Sequence, residues 1–246
     1  MALVNDQKGD RVVRLYRATS MAHNLEKEAA ARASMRFVSD GQVVGLGSGS
    51  TAAHVVQLLG ERVRAGLKIL GIPTSNHTRD LAASLGIRVT TFDEVQEIDV
   101  TIDGADEFDA QLSLIKGGGG ALLHEKVVAS ASRQLVIVTD SSKQAVVLGS
   151  FPVPIEVIAF AQPLVKKKVE ALGASVTLRR SNGGPFVTDE GHHILDCSFA
   201  RIPDPPALAR KLSDMPGIVE HGLFINMASA VLIARGSEVT ELRRAP

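Results

Sequence analysis

A chain of 246 residues with 45% hydrophobic and 22% charged residues has a globular composition and can bury a sizeable core, as one large domain or two modest ones. Its 27 basic and 27 acidic side chains cancel without a long run of either sign, which argues against nucleic acid as the main partner, because phosphate-backbone binding needs a basic excess. No apolar run reaches the roughly 18 residues that span a bilayer, and the single cysteine, Cys197, can close no internal disulfide, so the expectation is a soluble cytoplasmic protein with no membrane partner.

Residues 1–23 carry Arg11, Arg14 and Arg17 beside Val12, Val13 and Leu15, but Asp6 and Asp10 and the lack of an apolar core segment count against a signal peptide. They read as a disordered N-terminal extension. The first predicted helix covers residues 24–38, rich in Ala, Glu and Arg, with Asn24 as its N-cap. After a turn at Asp40-Gly41, QVVGLG reads as a buried strand running directly into a helix that starts near Ser50. Strand, glycine-rich turn and helix in that order present a helix N-terminus to an anion. Gly45, Gly47 and Gly49 with Ser48, Ser50 and Thr51 supply amides and hydroxyls together. The spacing fits neither a dinucleotide fingerprint nor a Walker A loop, and a plain tight turn is the alternative.

The alternation continues through strands at 68–73, 87–92, 98–102, 112–117 and 134–140, with helices over SNHTRDLAASLG and ALLHEKVVASAS. This pattern predicts an α/β fold with a doubly wound, mostly parallel sheet, whose ligands lie beyond the carboxyl ends of the strands. The polar clusters fall there: Ser48 to Thr51, Thr74 and Ser75, Asp103 and Asp106, Lys116, and Lys143. Near residue 150 the character changes. An extended FPVPIEV, a helix over QPLVKKKVEALG, two further strands and a helix over DPPALARKLSDMPG predict a smaller α+β domain over 149–220. Residues 24–148 and 221–246 form the larger domain, to whose sheet the two strand-like runs of LFINMASAVLIAR return. Cys197, in an apolar strand, reads as a small buried residue rather than a nucleophile.

The stretch DGADEFDAQLSLIKGGGGALLHE, residues 103–125, concentrates the chemistry. Four consecutive glycines are entropically expensive and are tolerated where backbone must approach another group or take positive φ. A helical glutamate is ordinarily a solvated residue, but beside a lysine, acids and glycine amides Glu125 reads as a general base acting on a carbon next to a carbonyl. Lys116 and the glycine amides are donors for the oxygen that becomes negative. Asp103 and Asp106 offer acceptors to sugar hydroxyls, and Asp103 a proton shuttle for ring opening; capping of a turn is their plainer role. DGADEFD lacks the spacing of a calcium loop, and the histidines, His124, His192 and His193 among them, form no ligand set, so no metal and no cofactor are expected.

GLGSGSTAAH (45–54), DGADE (103–107), LIKGGGGALLHEKVVAS (114–130), DSSKQ (140–144), FPVPIEVI (151–158), VTDEGHHILD (187–196) and PGIVEHGLF (216–224) closely resemble, in order, the motifs of the type A ribose-5-phosphate isomerases. The resemblance covers roughly residues 24 to 242. It implies metal-independent interconversion of ribose 5-phosphate and ribulose 5-phosphate, a Rossmann-like domain with an inserted ferredoxin-like one, and a homodimer or homotetramer. Glu125 matches the catalytic base, and Asp103 and Lys116 match residues of ring opening and sugar binding. The substrate-binding set comprises Ser48, Gly49, Ser50 and Thr51, then Asp103, Gly104, Ala105 and Asp106, then Lys116, Gly117, Gly118 and Gly119, with Lys143 and Lys27. His124, the loop from Thr74 to His77 and the first twenty residues depart from the family pattern. A sugar-phosphate sensor and an amino-sugar-phosphate isomerase or deaminase are the alternatives. The first would normally carry a DNA-binding helix-turn-helix, and the second its own histidine pattern.

Overall fold

The computed structural model describes residues 7–244, with side chains described from Met21 onward. In chain order the first half comprises α1 (Gln7–Ser34), β1 (Val43–Leu46), α2 (Ser50–Arg64), β2 (Leu70–Pro73), α3 (Asn76–Ser84), β3 (Arg88–Val89) and β4 (Val100–Asp103). Two short strands follow, β5 (Glu107–Phe108) and β6 (Leu114–Ile115), then α4 (Leu122–Ser130) and β7 (Leu135–Asp140). The second half runs β8 (Val153–Val157), α5 (Gln162–Glu170), β9 (Ser175–Leu178), β10 (Arg180–Ser181), β11 (Gly184–Pro185), β12 (His193–Ser198) and α6 (Pro205–Ser213). It closes with β13 (Ile218–His221), β14 (Leu223–Phe224), β15 (Ala230–Arg235) and β16 (Glu238–Arg243).

The main sheet has seven strands in the order β16-β15-β7-β4-β1-β2-β3. Every neighbouring pair is parallel except β15 and β16. Alternate residues of each strand serve opposite faces, as the two-residue period of a strand requires. Val136 and Val138 of β7 join Val55, Val56 and Leu59 of α2 and Ala30 and Ala31 of α1 in one core. Leu135 and Ile137 face the other way, toward Ala129 of α4, Phe108 and Phe224. With helices on both faces, the fold is the doubly wound, Rossmann-like architecture expected from the alternation.

Four antiparallel strands in the order β13-β8-β12-β9 form a second sheet. Val165 and Val169 of α5 and Leu212 of α6 pack on it, in the split βαβ arrangement. Cys197 is fully buried in β12, where burial pushes its thiol up and out of the nucleophilic range, so it is a core residue.

Three expectations are corrected. The first helix does not begin at Asn24: α1 starts at Gln7, no proline interrupts the sequence between, and Asn24 Oδ1 meets His54 Nε2 at 3.3 Å instead of capping. Of the extension expected to be disordered, residues 1–6 lie outside the described residues, and for 7–20 only helical backbone is described. The strand before Lys116 does not enter the parallel sheet. It is β6, the middle of a three-stranded antiparallel sheet β14-β6-β5. Consequently only one of the two terminal strand-like runs, β15, returns to the main sheet, while β14 pairs with β6. No described helix is long and apolar enough to cross a membrane.

Candidate active site

The carboxyl ends of β1 and β4 create the floor of the site. Asp103 is the last residue of β4 and is 1% exposed. Its Oδ1 accepts the N–H groups of Ser48 at 3.1 Å and Gly104 at 2.7 Å, and its Oδ2 lies 2.9 Å from Lys116 Nζ. Gly47 makes this approach possible, because a Cβ there would stand 2.2 Å from Asp103 Oδ1. Asp103 is therefore sequestered behind Lys116, and it is not part of the cavity wall.

Lys116 follows β6, and its N–H donates to Gly222 O at 2.9 Å, across to the residue preceding β14. At 2% exposure its ammonium donates to Gly104 O at 2.6 Å, pairs with Asp103, and stands 3.4 Å from Glu125 Oε2. Burial alone pushes the ammonium down, but the Asp103 and Glu125 carboxylates outweigh it and hold Lys116 above the usual lysine range, fully charged. Phe224 presents its ring 5.5 Å from the same nitrogen.

Glu125 sits in the first turn of α4, on the face that also carries the buried Leu122, Val128 and Ala129. This spacing of three and four residues is the inward stripe of an amphipathic helix, and it places a carboxylate where a hydrophobic residue would ordinarily pack. Glu125 is 5% exposed and Oε2 accepts no hydrogen bond. Burial pushes its carboxyl up to about 8; attraction to Lys116 opposes this only in part, and Asp103 and then Asp106 add to it. The two directions agree physically: Asp103 holds Lys116 at 2.9 Å, so the carboxylate at 3.4 Å receives the weaker share of that cation.

The glycine run packs between these elements. Gly117 and Gly120 have φ of 97° and 90°, the left-handed region that glycine alone enters freely. Gly117 lies over Leu122, and Gly120 under the ring of Phe186. Not every amide of the run is available to a ligand: Gly118 N–H donates to Asp106 Oδ2 at 2.7 Å, and Gly120 N–H to Gly117 O at 3.0 Å. The N–H of Gly119 has no partner among the described residues.

A cavity of about 110 Å³ gathers these groups, lined by Lys27, Ser48, Gly49, Ser50, Thr51, Gly104, Ala105, Asp106, Lys116, Gly117, Gly118, Gly119, Glu125 and Lys143. Apart from the sequestered Asp103, every residue of the expected substrate-binding set lines it, with Glu125, whereas Thr74 and Ser75 do not. One end is the N-terminus of α2, whose N-cap Gly49 supplies no side-chain bond, so the first amides of the helix are left for an anion. Lys27 from α1, 3.0 Å from Ser50 Oγ, and Lys143 from the turn after β7 add positive charge there. Ser48 contributes less than its type suggests. Its Oγ is committed to Thr74 at 2.6 Å, Ser75 at 3.0 Å and Thr78 at 3.3 Å. A wider cleft of about 520 Å³ adjoins through Asp106 and Lys143, but the buried Glu125–Lys116 pair that can do proton chemistry belongs to the smaller cavity.

The acids of the calcium-like stretch are occupied by backbone. Glu107 accepts the N–H groups of Gly149, Ser150 and Phe151, and Asp109 those of Gln111 and Ser113. Elsewhere His23, Glu26 and Asp140 bring ligand-type atoms within 4.8 Å of one another, with Glu26 already accepting from Ser141 and Gly236.

The model of the ribose 5-phosphate isomerase A (phosphoriboisomerase A) family matches residues 70–238. The chain belongs to this family. It is similar to ribose-5-phosphate isomerase A of Bradyrhizobium diazoefficiens, 49% identical over 231 residues covering 89% of this chain and 95% of that protein. It also resembles a solved D-ribose-5-phosphate isomerase in complex with phospho-erythronic acid (TM-score 0.88, 37% identity, 90% of this chain and 99% of that one). The ribose 5-phosphate isomerase A of Methanocaldococcus jannaschii gives a TM-score of 0.84 at 38% identity, over 89% of this chain and 98% of that one.

Around this family's site, sequence reasoning missed a supporting layer. Arg179 donates to the carbonyls of Gly117 and Gly118 at 3.1 Å each, and Lys126 stands 4.8 Å from the Phe224 ring. The one available signal was charge in apolar strands, as with Asp196 in HILDCS, which on an inner strand implies a partner.

Proposed function

We propose that this chain interconverts D-ribose 5-phosphate and D-ribulose 5-phosphate, with Glu125 as the base and Lys116 as the electrophile. The buried Glu125–Lys116 pair, in one cavity with an uncapped helix N-terminus, carries the reading. The substrate's phosphate binds the α2 amides with Lys27 and Lys143, and its carbonyl end reaches Lys116. Glu125 takes the proton from C2 of the open-chain aldose; the carbonyl oxygen O1 becomes negative and is held by the Lys116 ammonium and the Gly119 amide. The hydroxyl proton then moves from O2 to O1, and Glu125 returns its proton to C1, which leaves a ketone at C2. A carboxyl raised to about 8 suits this work, because it accepts and returns a proton near neutral pH with little cost either way.

Asp103 acts through Lys116, holding the ammonium in place, and Asp106 orders Gly118 beside the sugar. The ammonium fills the role a metal plays in other isomerases, and no cofactor enters the scheme. A relative solved in complex with phospho-erythronic acid, which carries a phosphate at one end and a carboxylate at the other, supports a sugar-phosphate ligand. Within the reading, residues 24–148 with 221–246 form the catalytic unit and 149–220 the smaller one. The protein works in the cytoplasm as a homodimer or homotetramer. The direct test is conversion of ribose 5-phosphate to ribulose 5-phosphate by the purified chain; no turnover at micromolar enzyme would refute the assignment.

A further inference from the structure

The glycine run has no side chains of its own, and its conformation is set from the other sheet. Arg179 immediately follows β9 and continues its pairing, donating its N–H to Ile194 O at 2.8 Å and accepting from Phe186 N at 2.9 Å. Its guanidinium is gripped by Asp196 of β12 on two sides, Nε to Oδ2 at 3.0 Å and Nη2 to Oδ1 at 2.5 Å. The remaining nitrogen, Nη1, reaches out of the sheet to Gly117 O and Gly118 O, both at 3.1 Å. Phe186, whose ring centre is 5.7 Å from the guanidinium carbon, closes over Gly120. Arg179 itself does not line the cavity.

A trans peptide is planar, so the N–H of each residue points opposite to the preceding carbonyl. With Gly117 C=O turned to Arg179, Gly118 N–H must turn away from it, and it is found 2.7 Å from Asp106 Oδ2. With Gly118 C=O turned to Arg179, Gly119 N–H must likewise point away; like that of Gly117, this amide has no partner among the described residues, and it lies beside the cavity. A single rigid fork thereby fixes two peptide planes that glycine would otherwise leave free to rotate.

We propose that Arg179 is a positioning residue for the reaction. Held by Asp196, it orients the Gly117 and Gly118 peptides so that the Gly119 amide is presented to the developing oxyanion. This rests on the isomerase reading above. Lysine cannot replace it, because a single ammonium offers no planar fork to serve Asp196 twice and two carbonyls besides.

The test compares the unsubstituted chain with Arg179→Ala, Arg179→Lys and Asp196→Asn. The readouts are kcat and KM for ribose 5-phosphate, calorimetric affinity for phospho-erythronic acid and inorganic phosphate, and rescue by added guanidinium ion. Losing one oriented donor predicts a kcat about 100-fold lower in Arg179→Ala with KM within about threefold. Phospho-erythronic acid binding weakens, inorganic phosphate binding holds, guanidinium restores part of kcat, and Arg179→Lys remains impaired. A folded Arg179→Ala with kcat within about twofold of the unsubstituted chain overturns the proposal, as does equal loss of affinity for both anions. Should Arg179→Ala fail to fold, Asp196→Asn decides in the same way, with kcat lowered and phosphate affinity kept. An inactive unsubstituted chain would instead refute the isomerase reading.

Discussion

Lys116 Nζ stands 3.4 Å from Glu125 Oε2, yet its hydrogen bond goes to Gly104 O and its shorter ion pair, at 2.9 Å, to Asp103. The cation is close enough to moderate the base and not close enough to quench it. An ammonium directly bonded to Glu125 would stabilise the carboxylate and lower its basicity, whereas burial here keeps the proton affinity high. The same nitrogen lines the cavity beside Glu125, where it can meet an oxygen that becomes negative.

The raised carboxyl of Glu125 makes a prediction about pH. Its folded value of about 8 exceeds the ordinary 4.5, so the folded chain holds this proton more tightly than the unfolded chain. Its contribution to stability is complete below about pH 4.5 and is lost as pH rises through about 8. Urea unfolding should show the unsubstituted chain losing stability relative to Glu125→Gln across that window, on the order of 1 kcal/mol per pH unit. A pH-independent difference would contradict the assignment. Since the base works deprotonated, kcat/KM should climb with pH toward about 8.

Removing the Lys116 ammonium separates stability from catalysis. Lys116→Met leaves Asp103 buried without its counter-charge, at a cost of about 3–5 kcal/mol, and lowers kcat by about 10²-fold or more. Adding Asp103→Asn should recover stability, measured by thermal unfolding, without recovering turnover. Recovery of both would show that Lys116 is structural only. Because the ammonium supplies the positive charge, turnover should also survive exhaustive chelation, and loss reversed by added metal would count against the scheme.

The contact between Gly47 and Asp103 predicts a steric effect at a residue that touches no substrate. A methyl group on Gly47 would lie 2.2 Å from Asp103 Oδ1 and 2.6 Å from its Cα, so the strand end must shift. Gly47→Ala should lose about 1–3 kcal/mol of stability, with a sharp fall in kcat as Asp103 and Lys116 move. Gly104→Ala, whose methyl would find nothing nearer than 4.0 Å, should keep its stability. Equal unfolding midpoints for the two variants would contradict the close packing at the strand end.

Much of this was legible in the sequence, because the relevant signals are local. A strand running into Ser48 to Thr51 and α2, a helix carrying Glu125, and a strand ending at Asp103 are each written within a dozen residues. What the sequence left out depends on pairing between distant segments. β6 has only two residues and pairs with β14, drawn from beyond residue 220, so nothing near Lys116 reveals that it stands in a separate sheet. Arg179, just after β9 of the four-stranded sheet, reaches Gly117, just after β6 of the three-stranded one, and no periodicity encodes that contact. The Ser48 hydroxyl looked available from its type; three other hydroxyls, at Thr74, Ser75 and Thr78, claim it. The continuous α1 shows the opposite limit, where a good N-cap residue, Asn24, sits inside a helix because nothing before it ends one.

The central claim is that Glu125 carries the proton between C2 and C1. It is tested most directly by incubating ribose 5-phosphate in deuterated water with the unsubstituted chain and with Glu125→Gln, following deuterium at carbon by NMR. The account predicts deuterium incorporation and ribulose 5-phosphate with the unsubstituted chain. With Glu125→Gln it predicts neither, while calorimetry shows phospho-erythronic acid still bound by that variant. Exchange and isomerisation persisting in Glu125→Gln at rates near those of the unsubstituted chain would contradict it.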